Sequence, residues 1–273
     1  MKRNILFISL PLVYGFILLT YFSINSRGYP PLSSQKKEDV VHLFNKKNLD
    51  GWYTFLENRG KNNDPKNVFS ISNGQIRISG EEWGCITTDK EYENYHLITE
   101  YRWGGKTYAP RENNARDCGI LLHSVGEDGA KGGIWMYSIE CQIIEGGTGD
   151  FIVVGDGSEQ FSITSTVKEE KQRGSHVYDP KGNPVTINSG RINWYGRDPE
   201  WKDEVGFYGR EDLEKPVGKW NRLECIVKDG TITNILNGKV VNMAREVKPG
   251  KGRMQIQSES AEIYFRKVDL IPL

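Results

Sequence analysis

Three two-residue turn signals constrain the fold of this chain more than any other feature. Asn73-Gly74, Asp229-Gly230 and Asn237-Gly238 each separate two short runs typical of β-strands. Both residues of such a pair adopt positive φ angles readily, and the tight turn that results folds one strand back onto the next. No helical periodicity of comparable length is present. The sequence therefore predicts an all-β fold made of many short antiparallel strands.

Strands of this kind must bury one face, and two antiparallel sheets packed face to face are the usual solution. The expected architecture is a jelly-roll sandwich. The chain has 273 residues, and a single all-β domain of about 200–250 residues is common. We expect one domain over residues 40–273. Residues 168–217 are rich in Lys, Glu, Gly, Pro and Asp and are expected to form a long loop.

Residues 1–27 carry Lys2 and Arg3 ahead of an apolar run that extends to Ile24. This arrangement predicts a signal peptide or an N-terminal membrane anchor. The remainder is then exported, to the periplasm or the cell surface, and a retained anchor would tether it to the inner membrane. Residues 28–39 read as a linker. Contact with a membrane is expected through this N-terminal segment alone.

The charge balance argues against a polyanionic partner. Lys+Arg and Asp+Glu number 36 each, so no overall positive field would attract nucleic acid. The sequence also lacks a glycine-rich nucleotide loop, a serine nucleophile elbow and paired zinc-binding cysteines. Four cysteines could form two disulfides in an exported protein. Cys118 and Cys141 alternate with apolar residues, which suits small buried side chains equally well, and we do not expect both bridges.

Polar residues alternate with apolar ones in two candidate strands. Glu140 and Gln142 share one face of Ser138–Ile144, and Asp117 and His123 share one face of the run that begins at Asp117. If these strands are neighbours, the four side chains lie together on an open sheet face. Such a set is typical of a ligand-binding cleft, and the alternative is a solvated outer face with scattered ion pairs.

This face offers two candidates for a general base. The imidazole of His123 titrates near neutral pH, and Glu140 would serve if a dry groove raised its pKa. Arg102, on the run Tyr95–Trp103, could lower the pKa of a carboxyl group or bind a substrate oxygen. Glu145 could offer oxygen ligands to a divalent cation, together with Gln142 and Asp150, although the spacing does not predict a tight metal site.

Aromatic residues make up 11% of the chain. Large aromatic side chains on β-scaffolds stack on sugar rings, and otherwise they fill the core. The tryptophans considered as stacking platforms are Trp103, Trp135, Trp194 and Trp201.

A set of short motifs resembles the 3-keto-disaccharide hydrolase family. The resemblance covers residues 40–273. The motifs are Leu43-Phe44-Asn45, Leu49-Asp50-Gly51-Trp52, Asp117-Cys118-Gly119-Ile120, Ser138-Ile139-Glu140-Cys141-Gln142-Ile143, Gly218-Lys219-Trp220-Asn221, Asn237-Gly238-Lys239-Val240-Val241 and the run from Ile256 to Arg266.

The resemblance implies a concanavalin A-like lectin/glucanase jelly roll and an oligosaccharide or glycoside substrate. It also implies cleavage of a sugar already oxidised at C3. The ketone acidifies the C2 proton, a base removes it, and the enolate expels the aglycone from C1. Water then adds, and the net reaction is hydrolysis.

On this reading His123 or Glu140 takes the C2 proton. Arg102, Arg116 or a bound cation would stabilise the enolate oxygen. The residues expected to hold the substrate are Arg102, Trp103, Lys106, Arg116, Asp117, Trp135, Gln142 and Asp150.

Two rival functions remain open at this point. A non-catalytic, lectin-like module would bind carbohydrate on the same fold without needing a base. A conventional endo-glucanase is weaker, because the pair of carboxylates used by ordinary glycosidases has no strand motif here.

Overall fold

Nineteen β-strands form the computed structural model, which describes residues 40–273. The expectations for residues 1–27 and 28–39 lie outside the described part. The strands are β1 Val41–His42, β2 Trp52–Leu56, β3 Gly60–Lys61, β4 Phe69–Ser72, β5 Gln75–Ile78, β6 Gly84–Thr88, β7 Tyr95–Thr107, β8 Asp117–Val125, β9 Tyr137–Ile144, β10 Phe151–Val154, β11 Ser162–Val167, β12 His176–Val177, β13 Asn183–Ile187, β14 Gly190–Asn193, β15 Asn221–Lys228, β16 Thr231–Leu236, β17 Lys239–Lys248, β18 Arg253–Ser258 and β19 Ala261–Pro272.

The three predicted turns all form. The φ angles are 51° and 69° at Asn73 and Gly74, 47° and 72° at Asp229 and Gly230, and 49° and 84° at Asn237 and Gly238. Two consecutive positive φ angles define the turn that matches the twist of a two-stranded hairpin. These turns join β4 to β5, β15 to β16 and β16 to β17.

The strands form two sheets, as predicted. A ten-stranded sheet has the order β13-β11-β17-β16-β15-β7-β19-β5-β4, with β1 beside β19. A nine-stranded sheet has the order β12-β14-β10-β9-β8-β18-β6-β2-β3. All pairs are antiparallel except β12 with β14, which is parallel. The all-β jelly-roll sandwich is confirmed.

One large apolar cluster fills the space between the sheets. Ile120 of β8 and Cys141 of β9 face it from the nine-stranded sheet, while Tyr101 and Phe265 face it from the ten-stranded sheet. All four cysteine thiols are free and buried. Cys118 and Cys141 belong to this core, as their alternation with apolar residues indicated, and Cys225 belongs to it as well. Each therefore packs as a small hydrophobic side chain.

Residues 168–217 are not one continuous loop. They contain β12, β13 and β14, of which β13 pairs with β11 of the ten-stranded sheet and β14 with β10 of the nine-stranded sheet. β13 could not be predicted from the sequence, because it contains Pro184 and exposed residues. It is an edge strand, and edge strands accept proline and polar side chains. The segment carries arginines onto the outer face of the nine-stranded sheet. No helix within residues 40–273 is long and apolar enough to cross a membrane.

Candidate active site

The predicted polar face exists on the outer side of the nine-stranded sheet. Gly119 of β8 lies opposite Gln142 of β9, and Leu121 lies opposite Glu140. Ile152 of β10 then lies opposite Glu140 on one side and Arg191 of β14 on the other. Directly opposed residues point to the same side of a sheet, so Glu140, Gln142 and Arg191 share the face that looks away from the core.

A cavity of about 370 Å³ opens on this face. We call it the acidic lobe, and its polar walls combine carboxyl groups and side-chain amides with the guanidinium of Arg191 and the ammonium group of Lys131, which donates to the carbonyl of Gly155 at 2.6 Å. The residues that define it are Asp117, Glu140, Gln142, Gln257, Glu259 and Arg191. Trp135 also lines it and is 9% exposed.

Glu259, Gln257 and Arg191 were not predicted as site residues. Gln257 and Glu259 stand two residues apart at the end of β18, where period-2 alternation could have placed them on one face. Asp117 and Glu259 form a backbone bridge, which brings the two carboxyl groups to the same end of the sheet. Arg191 gave no signal, because its strand lies in the stretch that read as a loop.

The three carboxyl groups hold protons more strongly than isolated acids do. Burial raises the pKa of Asp117 to about 7, although Arg111 and Arg191 oppose that shift. Burial and the charge of Asp117 raise the pKa of Glu140 to about 8. Burial, Asp117 and Glu140 raise the pKa of Glu259 well above its usual range. These groups titrate together, so near neutral pH the acidic lobe contains both a proton donor and a latent base.

Three buried acceptor oxygens in the acidic lobe lack a protein partner. They are Oε1 of Glu140, Oε1 of Gln142 and Oε1 of Gln257, and their side chains are 4%, 2% and 2% exposed. Gln142 uses its Nε2 to donate to Oδ1 of Asp117. A buried acceptor without a donor is costly in a folded protein. The lobe is therefore arranged to receive hydrogen-bond donors from a ligand.

Gly119 makes this convergence sterically feasible. A Cβ at position 119 would overlap the Oε1 atoms of both Glu140 and Gln257. The φ angle of Gly119 is not in the left-handed region, so the backbone itself would accept another residue. The glycine is required by the two side chains that meet above it.

We expect Gly119→Ala to lower kcat/KM for the glycoside substrate expected from the sequence by about 10²-fold or more. That is the scale of the loss when a general base, here Glu140, is misplaced. The new methyl group would displace Glu140 and Gln257 while leaving β8 in place. Gly105→Ala is the matched control, because Gly105 lies on β7 of the other sheet with nothing near its Cβ position. The circular dichroism spectra of both variants should match that of the wild type. Full activity of Gly119→Ala would contradict a catalytic role for the acidic lobe.

Asp150 lies beneath the site and does not line the acidic lobe. It is fully buried and accepts hydrogen bonds from the backbone N–H of Trp194 at 2.7 Å, from Nη1 of Arg197 at 2.9 Å and from Nη1 of Arg191 at 3.1 Å. The sequence interpretation gave Asp150 a direct contact with substrate hydroxyls. In the structure it instead bonds to Arg191 and Arg197 and holds both guanidinium groups in place.

His123 does not share the face of Glu140. The pairing of β8 with β9 shifts register between Leu122 and Val125, and His123 has a φ angle of 54°. This β-bulge breaks the alternation on which the expectation rested. Its Nδ1 lies 2.8 Å from the carbonyl oxygen of Pro249, and its ring meets Tyr95 edge-on. Burial lowers the pKa of His123, so the side chain is neutral near pH 7. These contacts also place it away from the acidic lobe.

Three expected substrate residues lie on β7, which belongs to the opposite sheet. The guanidinium of Arg102 lies 4.1 Å from the ring centre of Tyr264. Trp103 is buried in the core and donates from Nε1 to Glu214 at 2.8 Å. Lys106 is exposed near the end of the strand. Alternation predicted which residues share a face of β7 but could not tell which sheet that face belongs to.

Arg116 and Glu145 form a structural ion pair beside the cleft. Nη1 of Arg116 lies 2.7 Å from Oε1 of Glu145, and Oε2 accepts from the backbone N–H groups of Arg116 and Gly206. These bonds occupy the carboxylate suggested as a metal ligand. Within residues 40–273 no cluster of three or more His, Cys, Asp or Glu side chains is arranged to hold a metal ion.

Among the other tryptophans, Trp194 is buried and donates to the carbonyl of Gly146. Trp201 lines a second cavity, described below. Trp135 and Trp201 are therefore the two candidates that remain available to a sugar ring.

Comparison with known proteins gives one strong result. A family model described as 3-keto-alpha-glucoside-1,2-lyase-like domain matches residues 39–271. No curated protein sequence matches the chain.

Solved structures match the chain at low sequence identity. A candidate glycosyl hydrolase from Parabacteroides distasonis ATCC 8503 is 18% identical, with a TM-score of 0.49, over 86% of this chain and 94% of its own. Carbohydrate binding module CBM66 from Bacillus subtilis is 12% identical, with a TM-score of 0.42, over 80% and 94%. A Bacillus licheniformis beta-glucanase is 11% identical, with a TM-score of 0.42, over 86% and 98%. We base no functional conclusion on these similarities.

The family match covers nearly all of the part that forms the sandwich, including every residue of the acidic lobe. It agrees with the resemblance seen in the ordered sequence motifs. The chain belongs to the 3-keto-alpha-glucoside-1,2-lyase-like domain family.

Proposed function

We propose that this protein cleaves the glycosidic bond of a 3-keto-glycoside in the acidic lobe. Family membership supports a carbohydrate-active function, and the acidic lobe supplies the chemistry that elimination needs. The observation that carries the proposal is Glu140, a buried carboxyl group with a raised pKa and an unpartnered oxygen in the cavity wall. A base whose pKa lies near the working pH transfers protons most effectively.

Glu140 takes the C2 proton in this mechanism. The ketone at C3 makes that proton acidic, and the electrons of the C2–H bond form an enolate. The enolate then expels the aglycone from C1, and the aglycone oxygen receives the proton held by Glu140. Water adds its hydroxyl group to C1 and its proton to C2 across the new double bond, which completes a net hydrolysis. No covalent enzyme intermediate is needed, so the route does not require a second carboxylate as nucleophile.

The negative charge that develops on the C3 oxygen needs a donor. Arg191 lines the cavity, and its Nη1 is held by Asp150. A protonated carboxyl of Glu259 can donate a proton or a hydrogen bond to the same region, because burial and the charges of Asp117 and Glu140 raise its pKa well above the usual range. Arg191 thus takes the place of Arg102 and Arg116, and of the two bases expected from the sequence, His123 and Glu140, the proposal retains Glu140.

A lectin-like module is the second candidate. Trp135 at the wall of the cavity would stack on a sugar in either case. The orphaned acceptors also suit binding of hydroxyl groups. Catalytic turnover distinguishes the two functions.

The test is incubation of the full chain with a 3-keto-glucoside that carries a chromogenic leaving group, beside the same glycoside unoxidised. Release from the oxidised substrate alone is the expected result. A parallel reaction with chelator tests the proposed divalent cation, and unchanged release would remove the cation from the mechanism. Sugar binding without release from either substrate would replace the enzyme with a lectin-like module.

The apolar N-terminal segment supports a further part of the proposal. We propose that the protein is exported and that the reaction takes place outside the cytoplasm, in the periplasm or at the cell surface. Fractionation of the producing cells, followed by detection of the chain in the periplasmic and membrane fractions, tests that placement.

A further inference from the structure

A second cavity of about 260 Å³ adjoins the acidic lobe and shares Asp117 and Arg191 with it. Four guanidinium groups line this second cavity, which we call the arginine lobe. They belong to Arg111, Arg173, Arg191 and Arg197. Because the two lobes share residues, a ligand that fills both must cross above Asp117 and Arg191.

Arg197 is built into the wall of the arginine lobe. It is 7% exposed, its Nη1 bonds to Asp150, and its guanidinium lies 4.1 Å from the ring centre of Trp201. A Cβ on residue 147 would overlap that Nη1, so Gly147 is needed for the arginine to take this position. A buried arginine held by an ion pair, a ring and a glycine is a fixed feature of the fold.

Four carboxylates lie in or beneath the wall of this lobe, those of Asp117, Asp150, Asp198 and Asp203. Asp198 also pairs with Arg210 at 3.5 Å, so five arginines stand against four carboxylates and the positive charge exceeds the negative charge by one. Asp150 is a single carboxylate that serves both Arg191 and Arg197. Asp198 accepts from the backbone N–H groups of Glu200 and Arg210 and is already paired.

Arg173 is exposed, and within the described part of the chain it forms no ion pair. Its Nη1 donates to the carbonyl of Trp201 at 2.9 Å.

Two polar atoms aimed at the lobe have no protein partner. Nε of Arg111 is a buried donor without an acceptor, and Oδ1 of Asn193 is a buried acceptor without a donor. Asn193 is 5% exposed and lines the cavity. Arg111 uses its Nη2 on Asp117 at 3.0 Å and on Asp203 at 3.3 Å, so its Nε remains for a ligand. An occupant that completes the arginine lobe therefore carries an acceptor for Nε of Arg111 and a donor, such as a hydroxyl group, for Oδ1 of Asn193.

We infer that the arginine lobe binds a carboxylate carried by the leaving group of the substrate. The planar guanidinium matches the geometry of a carboxylate, with two parallel hydrogen bonds. This inference rests on the proposed function, because it assigns the oxidised sugar to the acidic lobe and the leaving group to its neighbour. The substrate class is a 3-keto-glycoside of an acid-bearing alcohol, such as a uronic acid or a hydroxylated aromatic acid.

A matched pair of substrates tests the inference. The 3-keto-glucosides of 4-hydroxyphenylacetate and 4-hydroxyphenylacetamide differ in charge at the far end of the leaving group, and the methylene group insulates the phenol oxygen from that change. We expect kcat/KM to be about tenfold higher for the acid, which corresponds to about 1.4 kcal/mol. The preference should shrink as salt rises, because Arg173 is exposed to solvent.

Arg173→Gln should lower the ratio of the two kcat/KM values several-fold. Arg266→Gln is the control, since it removes the same charge from the outer face of the ten-stranded sheet, where Arg266 pairs with Glu100. An unchanged ratio in that control separates local binding from the overall field of the protein. Equal cleavage of acid and amide would overturn the inference while leaving the proposed function intact.

Equilibrium binding of the two free phenols provides a readout that does not depend on turnover. Tighter binding of 4-hydroxyphenylacetate than of its amide, lost in Arg173→Gln, supports the arginine lobe even if neither glycoside is cleaved. Equal binding of the two compounds overturns it. Failure of the catalytic proposal and failure of this inference are therefore distinguishable.

Discussion

We expect Glu140→Gln to lower kcat/KM for a 3-keto-glycoside by between about 10² and 10⁴-fold, the contribution of a positioned general base. The amide keeps the size and shape of the side chain but cannot accept the C2 proton. In the wild type, the raised pKa of Glu140 predicts that kcat/KM increases with pH and levels off above about 8. The measurement is the pH profile of kcat/KM, and the rise should be absent in the variant.

The same pKa shift has a consequence for stability. The folded state binds a proton at Glu140 more tightly than the unfolded state does. The contribution of Glu140 to stability is therefore present at low pH and is lost as pH rises through about 8. At pH 9 the unfolding temperature of Glu140→Gln should accordingly be at least as high as that of the wild type. That result would show that lost activity does not come from a lost fold.

Two controls accompany this variant. Glu100→Gln makes the same chemical change on the outer face of the other sheet, where Glu100 pairs with Arg266, and should leave kcat/KM unchanged. His123→Gln should retain activity within a few-fold, because His123 lines neither lobe. Full activity of Glu140→Gln together with inactive His123→Gln would reverse the assignment of the base.

Asp150→Asn is expected to cost about 3–5 kcal/mol of the free energy of unfolding, as removal of one partner from a buried ion pair does. The carboxylate is fully buried and accepts from Arg191, Arg197 and the backbone of Trp194. An asparagine would leave Arg197 buried without its counter-charge. Burial already lowers the pKa of Arg197, and Asp150 is the group that opposes that shift most.

Urea unfolding followed by tryptophan fluorescence measures this loss. Asp156→Asn is the matched control, since Asp156 is an exposed carboxylate just beyond β10, and its replacement should cost less than about 0.5 kcal/mol. A loss below about 1 kcal/mol for Asp150→Asn would show that water or a rearranged side chain can take over the role of the carboxylate.

The hairpins and the core illustrate what can be predicted locally. Asn237-Gly238 specifies its turn by two residues alone, because few other pairs tolerate two positive φ angles. The alternation around Ile120 and Cys141 likewise separates core from cleft, since successive side chains of a strand point to opposite faces. These rules need no knowledge of distant parts of the chain.

The acidic lobe required more. Glu140 and Gln142 were placed correctly on one face by period-2 alternation. Glu259 joins them through a bridge to Asp117, 142 residues earlier in the sequence (259 − 117). Arg191 joins them through its pairing with Ile152, 39 residues earlier (191 − 152), and no local pattern encodes such neighbours. Arg102 shows the converse error, because it has the right chemistry and alternation but lies on a strand of the opposite sheet.

His123 shows how a single extra residue defeats the period. The β-bulge between Leu122 and Val125 reverses the direction of the side chain, and the bulged residues themselves, His123 and Ser124, include no glycine that would predict the change.

The sequence by itself determined the all-β class, the hairpin turns, the split between core and outer face, and the family. Only the tertiary structure decided which polar residues meet, which carboxyl groups are dry enough to hold protons, and which arginines are paired. The physical reason is that backbone propensity and alternation act between adjacent residues. Desolvation and charge pairing depend instead on neighbours that the folded sheet brings from distant parts of the chain.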